Sequence, residues 1–175
     1  MDARIACATA LPPAAASLER LLAELEDLLI GVDPETYRAR VAPGISGSIG
    51  EHVRHCLDHV TALLSATQAS TLSYDRRHRG TAAESEPLAA MRQIAECRRV
   101  LDSWSSRSID EPIRVSSLVS ASGETVIGWS TLGRELAFVL SHTIHHQALI
   151  ALLLAIRGLD VPDRFGYAPS TPQAN

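Results

Sequence analysis

Apolar positions along the chain recur at helical intervals in four separate stretches. Leu18, Leu21, Leu22, Leu25, Leu28 and Leu29 advance in steps of three and four, which predicts a helix over about Ala14 to Ile30 with one apolar stripe. Glu19, Arg20, Glu24, Glu26 and Asp27 fill its wet side, and Gly31 with Asp33-Pro34 ends it. A second helix starts near Ser48. Glu51 stands three residues later, a capping box, and Ile49, Val53, Cys56, Val60, Leu63 and Leu64 form the stripe. This helix fades in the small polar stretch Ser65 to Ser73. After a polar loop, Tyr74 to Glu86, a third helix opens at Glu86-Pro87, where proline suits a first turn. Its predicted stripe is Leu88, Met91, Ile94, Ala95, the stem of Arg98, and Leu101. The period changes between Ile109 and Ser130, where short β-rich runs flank Ser120 to Glu124 and its glycine, so a small hairpin is expected. The last and longest helix spans about Thr131 to Arg157, with Gly158 past its end. Its second half is apolar nearly all round, which predicts a central position. The tail from Asp160 has no period and should lie on the surface.

Four amphipathic helices with one hairpin insertion predict an all-α protein, an antiparallel or long-crossover bundle. A length of 175 residues suits a single domain. The net charge of −4 argues against a nucleic-acid binder, which carries a basic face. Three cysteines at wide spacing, Cys7, Cys56 and Cys97, do not form a disulfide framework and fit a cytoplasmic protein. Cys56 lies inside an apolar stripe and reads as small core filler. The N-terminus lacks the pattern of a signal peptide. The longest apolar run, Ala148 to Ile156, has nine residues against the roughly 20 of a bilayer-spanning helix, so no membrane partner is expected.

Candidate chemistry lies in the histidines. Six of the seven fall on two predicted helices: His52, His55 and His59 on the second, His142, His145 and His146 on the last. Residues three and four apart share a helix face, so His142 and His146 can ligate one metal, and a third ligand must come from another helix. The alternative for each is a core-edge imidazole with one hydrogen bond. For His142 and His146 that alternative would leave two polar rings unsatisfied in an apolar helix. Neutral imidazoles suit zinc, nickel, iron or copper, and three of them leave a position open, as catalytic sites do. The sequence carries no GxSxG elbow, GxGxxG or Walker pattern.

The stretch from Ser48 to His59 resembles the second helix of the DinB/YfiT-like family, and Ser141-His142-Thr143-Ile144-His145-His146-Gln147 resembles that family's His-x-x-His-His element. The resemblance covers about residues 14 to 160. It implies a four-helix bundle and a three-histidine site of His55, His142 and His146. It is similar also to the DinB-like domain of iron-dependent sulfoxide synthases, and the chain has room for that domain by itself. On a helical wheel His52 and His59 lie nearer the apolar stripe than His55 does, so the residues alone leave His52 as an alternative ligand. The resemblance implies a divalent transition metal, zinc or nickel before iron, and a homodimer. Family activities include bacillithiol transfer and mycothiol-dependent maleylpyruvate isomerisation. The implied function is a thiol-dependent S-transferase, isomerase or hydrolase acting on a small molecule. A non-catalytic metal-binding bundle is the alternative. Glu135 and Asp58 are the candidate catalytic carboxylates, each placed to orient a ligand or accept a proton. Arg134 and the basic loop of Arg76, Arg77 and Arg79 are candidates to hold a substrate carboxylate.

Overall fold

The computed structural model describes residues 11–40, 47–66, 70–75 and 79–172. It is mostly helical with a small three-stranded sheet. Helix α1 (Pro13–Ile30) buries Leu18, Leu21, Leu22, Leu25 and Leu29, the stripe expected of it. A short α2 (Pro34–Arg38) follows. Asp33 caps it by accepting from the amides of Glu35 and Thr36, and Pro34 takes the first turn. These signals were present, but the Asp-Pro pair reads equally as a loop. Helix α3 (Ile49–Leu64) opens with the capping box of Ser48 and Glu51.

The stretch after α3 differs from its reading as fading helix and loop. Thr71–Leu72 forms a strand, β1, and Ala82–Ser85 forms a one-turn helix, α4. Helix α5 (Pro87–Asp102) continues into a 3-10 turn at Ser103–Ser106. Its core face is rotated from the predicted stripe: Pro87, Ala90, Ile94, Cys97 and Leu101 are buried, whereas Leu88 is 68% exposed. The small side chains of Ala90 and Cys97 permit close packing, and Arg98 on the next face bonds Glu19 and Glu26 of α1. The expected hairpin is present as β2 (Pro112–Leu118) and β3 (Thr125–Thr131), antiparallel, with Val115 opposite Gly128. β1 joins β2 in parallel, so the sheet order is β1-β2-β3.

Helix α6 (Leu132–Ile156) is capped by Thr131, the last residue of β3. Helices α1 and α3 each pack against both α5 and α6. The second half of α6 is not buried all round. Ile150, Leu153 and Leu154 enter the core, but Leu152 and Ile156 are about half exposed. By length and composition α6 would cross a bilayer, contrary to the reading from the nine-residue run alone, but here it packs on α1 and α3 and carries histidines. Gln147, fully buried, donates to the Leu21 carbonyl at 2.9 Å and ties α6 to α1. The described tail lies mostly on the surface, as expected, but it is anchored at one point. Phe165 is buried, and Gly166, at φ +77°, lies so close to the Ala148 backbone that a Cβ would meet its nitrogen at 2.4 Å.

Candidate metal centre

The face that α3 turns towards α6 carries the three histidines of its middle turns. Gly50 lets the first turn of α3 press against α4 and the ring of Tyr37, whose hydroxyl donates to the Ala83 carbonyl at 2.6 Å. That docking fixes the direction in which His52, His55 and His59 project. The pair His142 and His146 stands one turn apart on α6, with ring centroids 4.5 Å apart. His55 closes the group, 4.8 Å from His142 and 4.7 Å from His146 between centroids. One nitrogen from each of the three falls within 4.8 Å of the others, so the group could hold a metal ion. Two nitrogens bound at about 2.1 Å to a tetrahedral ion sit about 3.4 Å apart, so small side-chain rotations suffice.

The electrostatics suit a cation. Burial, and then the neighbouring His55, His142, His52 and His145, push the His146 pKa down to about 3, so its imidazole is neutral and keeps a lone pair. His52 Nδ1 lies 3.0 Å from His146 Nδ1. That bond occupies Nδ1 of His146 and leaves Nε2 as its nitrogen for a metal. His52 therefore stands behind His146, outside the three-histidine group. On the other side, His59 Nδ1 donates to the His55 carbonyl at 3.0 Å. Its ring stacks on Tyr74 at 5.1 Å and lies 3.9 Å from that of His142. His145 meets only the edge of His146, at 5.2 Å.

His55 and His146 open onto a cleft of about 570 Å³ that is lined also by Arg40, Glu51, His52, Arg54, Arg79 and Glu84. His142 sits deeper, beside Phe138 and His59. Arg40 pairs with Glu51. Arg54 is held by Asp58 at 2.7 Å and by Glu84 at 3.1 Å.

The carboxylates read as catalytic from the sequence lie elsewhere. Asp58 is bound to Arg54 and faces a second cavity with Thr61, Ser65 and Gln93. Glu135 is fully buried and accepts from Tyr74 (2.9 Å), Ser130 (2.6 Å) and Arg134 (3.1 Å). Seven residues of helix put it about 10 Å along the axis from His142. It reaches the histidines through Tyr74, which stacks on His59. Arg134 lies over the Phe138 ring at 5.3 Å and is bound to Glu135. Arg76, Arg77 and His78 lie outside the described residues. Arg79, from the same run, does line the cleft. Tyr74 and Phe138 went unnoticed in the sequence because a lone aromatic in a loop or on an apolar helix gives no signal of its partner.

Residues 17–150, which include α3 and all three histidines of the group, match the DinB superfamily. The chain belongs to that superfamily. Among curated proteins, the FK506-binding protein 5 of Rhizopus delemar is 37% identical over 110 residues, which is 62% of this chain and 29% of that protein. The chain thus spans less than a third of that relative's length. No solved structure matches the chain.

Proposed function

We propose that this DinB-superfamily chain is a metal-dependent enzyme acting on a small molecule, with a four-helix bundle as its scaffold. S-transfer, isomerisation or hydrolysis with a low-molecular-weight thiol or water is the reaction class. One observation carries the reading: three imidazoles from two helices converge within 4.8 Å at the floor of an open cleft. The donor set is all imidazole nitrogen, which fits zinc or nickel, and also iron. When bound, a divalent ion supplies a charge that brings the pKa of a water or thiol towards neutrality.

The rest of the work falls to the chain. His55, His142 and His146 would hold the ion. His52 fixes the ring orientation of His146, and Tyr74 with Glu135 fixes His59 against His142. Arg79, which forms no ion pair among the described residues, stands at the cleft to receive an anionic group of the substrate. Arg54, paired with Asp58 behind it, shapes the wall of the cleft. Glu135 acts here as a positioning residue for Tyr74.

Elemental analysis of the purified chain beside His142→Ala tests the assignment. About one metal per chain is expected in the parent and almost none in the variant, with both folded by circular dichroism. Stoichiometric metal in the variant, or none in the parent after reconstitution with zinc or nickel, would overturn it. A metal-loaded parent that consumes no thiol from a panel of cosubstrates would instead support a non-catalytic metal-binding module.

A further inference from the structure

A further cavity lies away from the histidines, between α1, α6 and the tail that follows α6. Its volume of about 310 Å³ is at the small end of ligand pockets, which run from about 300 to 1,000 Å³. Leu21 of α1, with Leu140 and Ile144 of α6, gives it an apolar floor. Leu140 and Ile144 each stand two residues before a histidine of the metal centre. Two residues turn a helix by about 200°, so this cavity is on the opposite side of α6 from His142 and His146.

The remaining wall is the tail, and the tail has a defined course. Three turns shape it: the Phe165 amide donates to the Pro162 carbonyl (3.1 Å), Tyr167 to Arg164 (3.0 Å) and Thr171 to Ala168 (2.9 Å). Phe165 is buried and Gly166 presses on the Ala148 backbone, which pins the tail to α6. From that point Tyr167, Ala168 and Pro169 run along the cavity. Arg164 also lines it, at a φ of +59°, the one positive value among the described residues other than glycine. Glycine takes that conformation at no steric cost, so the backbone alone does not select arginine there. Its Nη2 donates to the Thr171 carbonyl at 3.0 Å, and its guanidinium lies 5.5 Å from the centre of the Tyr167 ring.

The charges around the cavity balance. Arg20 and Glu24 line it from α1 and bond each other at 2.8 Å. Asp163 and Arg164 line it from the tail. Among the described residues no ion pair joins the two sides. Asp163 has no cationic partner, and the guanidinium of Arg164 hydrogen-bonds the Thr171 carbonyl alone, which leaves Nε and Nη1 as donors. A ligand with a single charge would meet a like charge beside its partner, because Asp163 and Arg164 are neighbours in the chain. A ligand carrying an ammonium next to a carboxylate finds a partner for each, through charge-assisted bonds. Its remaining group then meets leucine and isoleucine side chains.

We propose that this cavity binds a free α-amino acid with an apolar side chain. Asp163 takes the ammonium, Arg164 takes the carboxylate, and Leu21, Leu140 and Ile144 receive the side chain. The tail is thereby one wall of a ligand site. Binding here is independent of whether the histidines hold a metal.

The test is calorimetric titration of the full chain with L-leucine, L-methionine and L-phenylalanine, each to millimolar concentration. At least one should bind at one per chain and raise the melting temperature. The matching compounds with a single charge, isoamylamine and isocaproate for leucine, should bind about tenfold more weakly or worse, as the loss of one charge-assisted bond requires. Asp163→Asn and Arg164→Gly should each weaken binding by a similar factor. Asp163 is exposed, and glycine suits the φ of position 164, so both variants should melt as the parent does without ligand. His142→Ala should bind the amino acid as the parent does. The proposal is overturned if none of the three amino acids binds, or if the singly charged compounds bind as tightly. Full affinity in both tail variants would also overturn it, by placing the amino acid on another surface, and loss of binding in His142→Ala would place it in the cleft at the histidines.

Discussion

Replacing Gly50 by alanine sets two physical effects against each other. Gly50 lies in the first turn of α3, where alanine is favoured over glycine by about 1 kcal/mol in helix propensity. A Cβ at that position would stand 2.1 Å from the Glu84 carbonyl oxygen and 2.6 Å from Tyr37 Cε1. Neither can swing aside: one is backbone, the other belongs to a fully buried ring. Relief requires α3 to move off α4 by the order of 1 Å. Overpacking of this kind costs about 1–3 kcal/mol. Displacement of the Tyr37 hydroxyl from the Ala83 carbonyl adds about 1–2 kcal/mol for a buried bond. The net expectation is a loss of about 2 kcal/mol, a fall in melting temperature of about 4–8 °C for a chain of this size. Thermal melts followed by circular dichroism, run on parent, Gly50→Ala, Tyr37→Phe and the double variant, separate the contributions. The double variant should cost less than the sum of the singles, since both act on one contact. An unchanged or higher melting temperature for Gly50→Ala would refute the packing argument and leave propensity as the governing effect.

Two further outcomes follow from the site. Glu135→Ala removes the acceptor shared by Tyr74, Ser130 and Arg134 and should cost about 3 kcal/mol in a denaturant melt, while Arg134→Ala, at an exposed side chain, should cost less than about 1. Equal costs would show that Glu135 is held by its arginine alone. His52→Ala should leave the metal stoichiometry unchanged but weaken affinity about 10–100-fold in a competition titration with a chelator, as loss of an outer hydrogen bond to a ligand does. Complete loss of metal would make His52 a ligand rather than the support of His146.

The long helices were legible because each has one face against the core and the leucines report that face. α1 and α3 match their stripes; α5 does not, since Leu88 is large and exposed while Ala90 and Cys97 are small and buried. Hydrophobicity ranks side chains by size, whereas packing selected the face that fits closest. β1 was not legible, because two residues acquire strand geometry only by pairing with Arg114 and Val115, more than forty positions away. The histidines were legible as a group from their spacing. Choosing among those of α3 was not, since a helical wheel points to the core, and a ligand must face the cleft between helices instead. His52 and His59, nearer the stripe, are indeed the more buried pair, and they flank the group from either side. Glu135 looked catalytic because periodicity places it on the histidine face. Its partners come from β3 and from the loop before α4, which no helical period reveals.

Thr131 is both the final residue of β3 and the N-cap of α6, so strand and helix meet with no linker between them. The consequence concerns the length of the chain at that point as much as its composition. One residue inserted between Thr131 and Leu132 would turn hairpin and helix about 100° relative to each other, carrying Ser130 away from Glu135 while His142 and His146 stayed in phase with the core. The same insertion in the exposed turn of Ser120 to Gly123 would extend the hairpin tip and leave every contact at the histidines in place. Deletions and insertions along this family should therefore collect at the tip of the hairpin and be absent from its root.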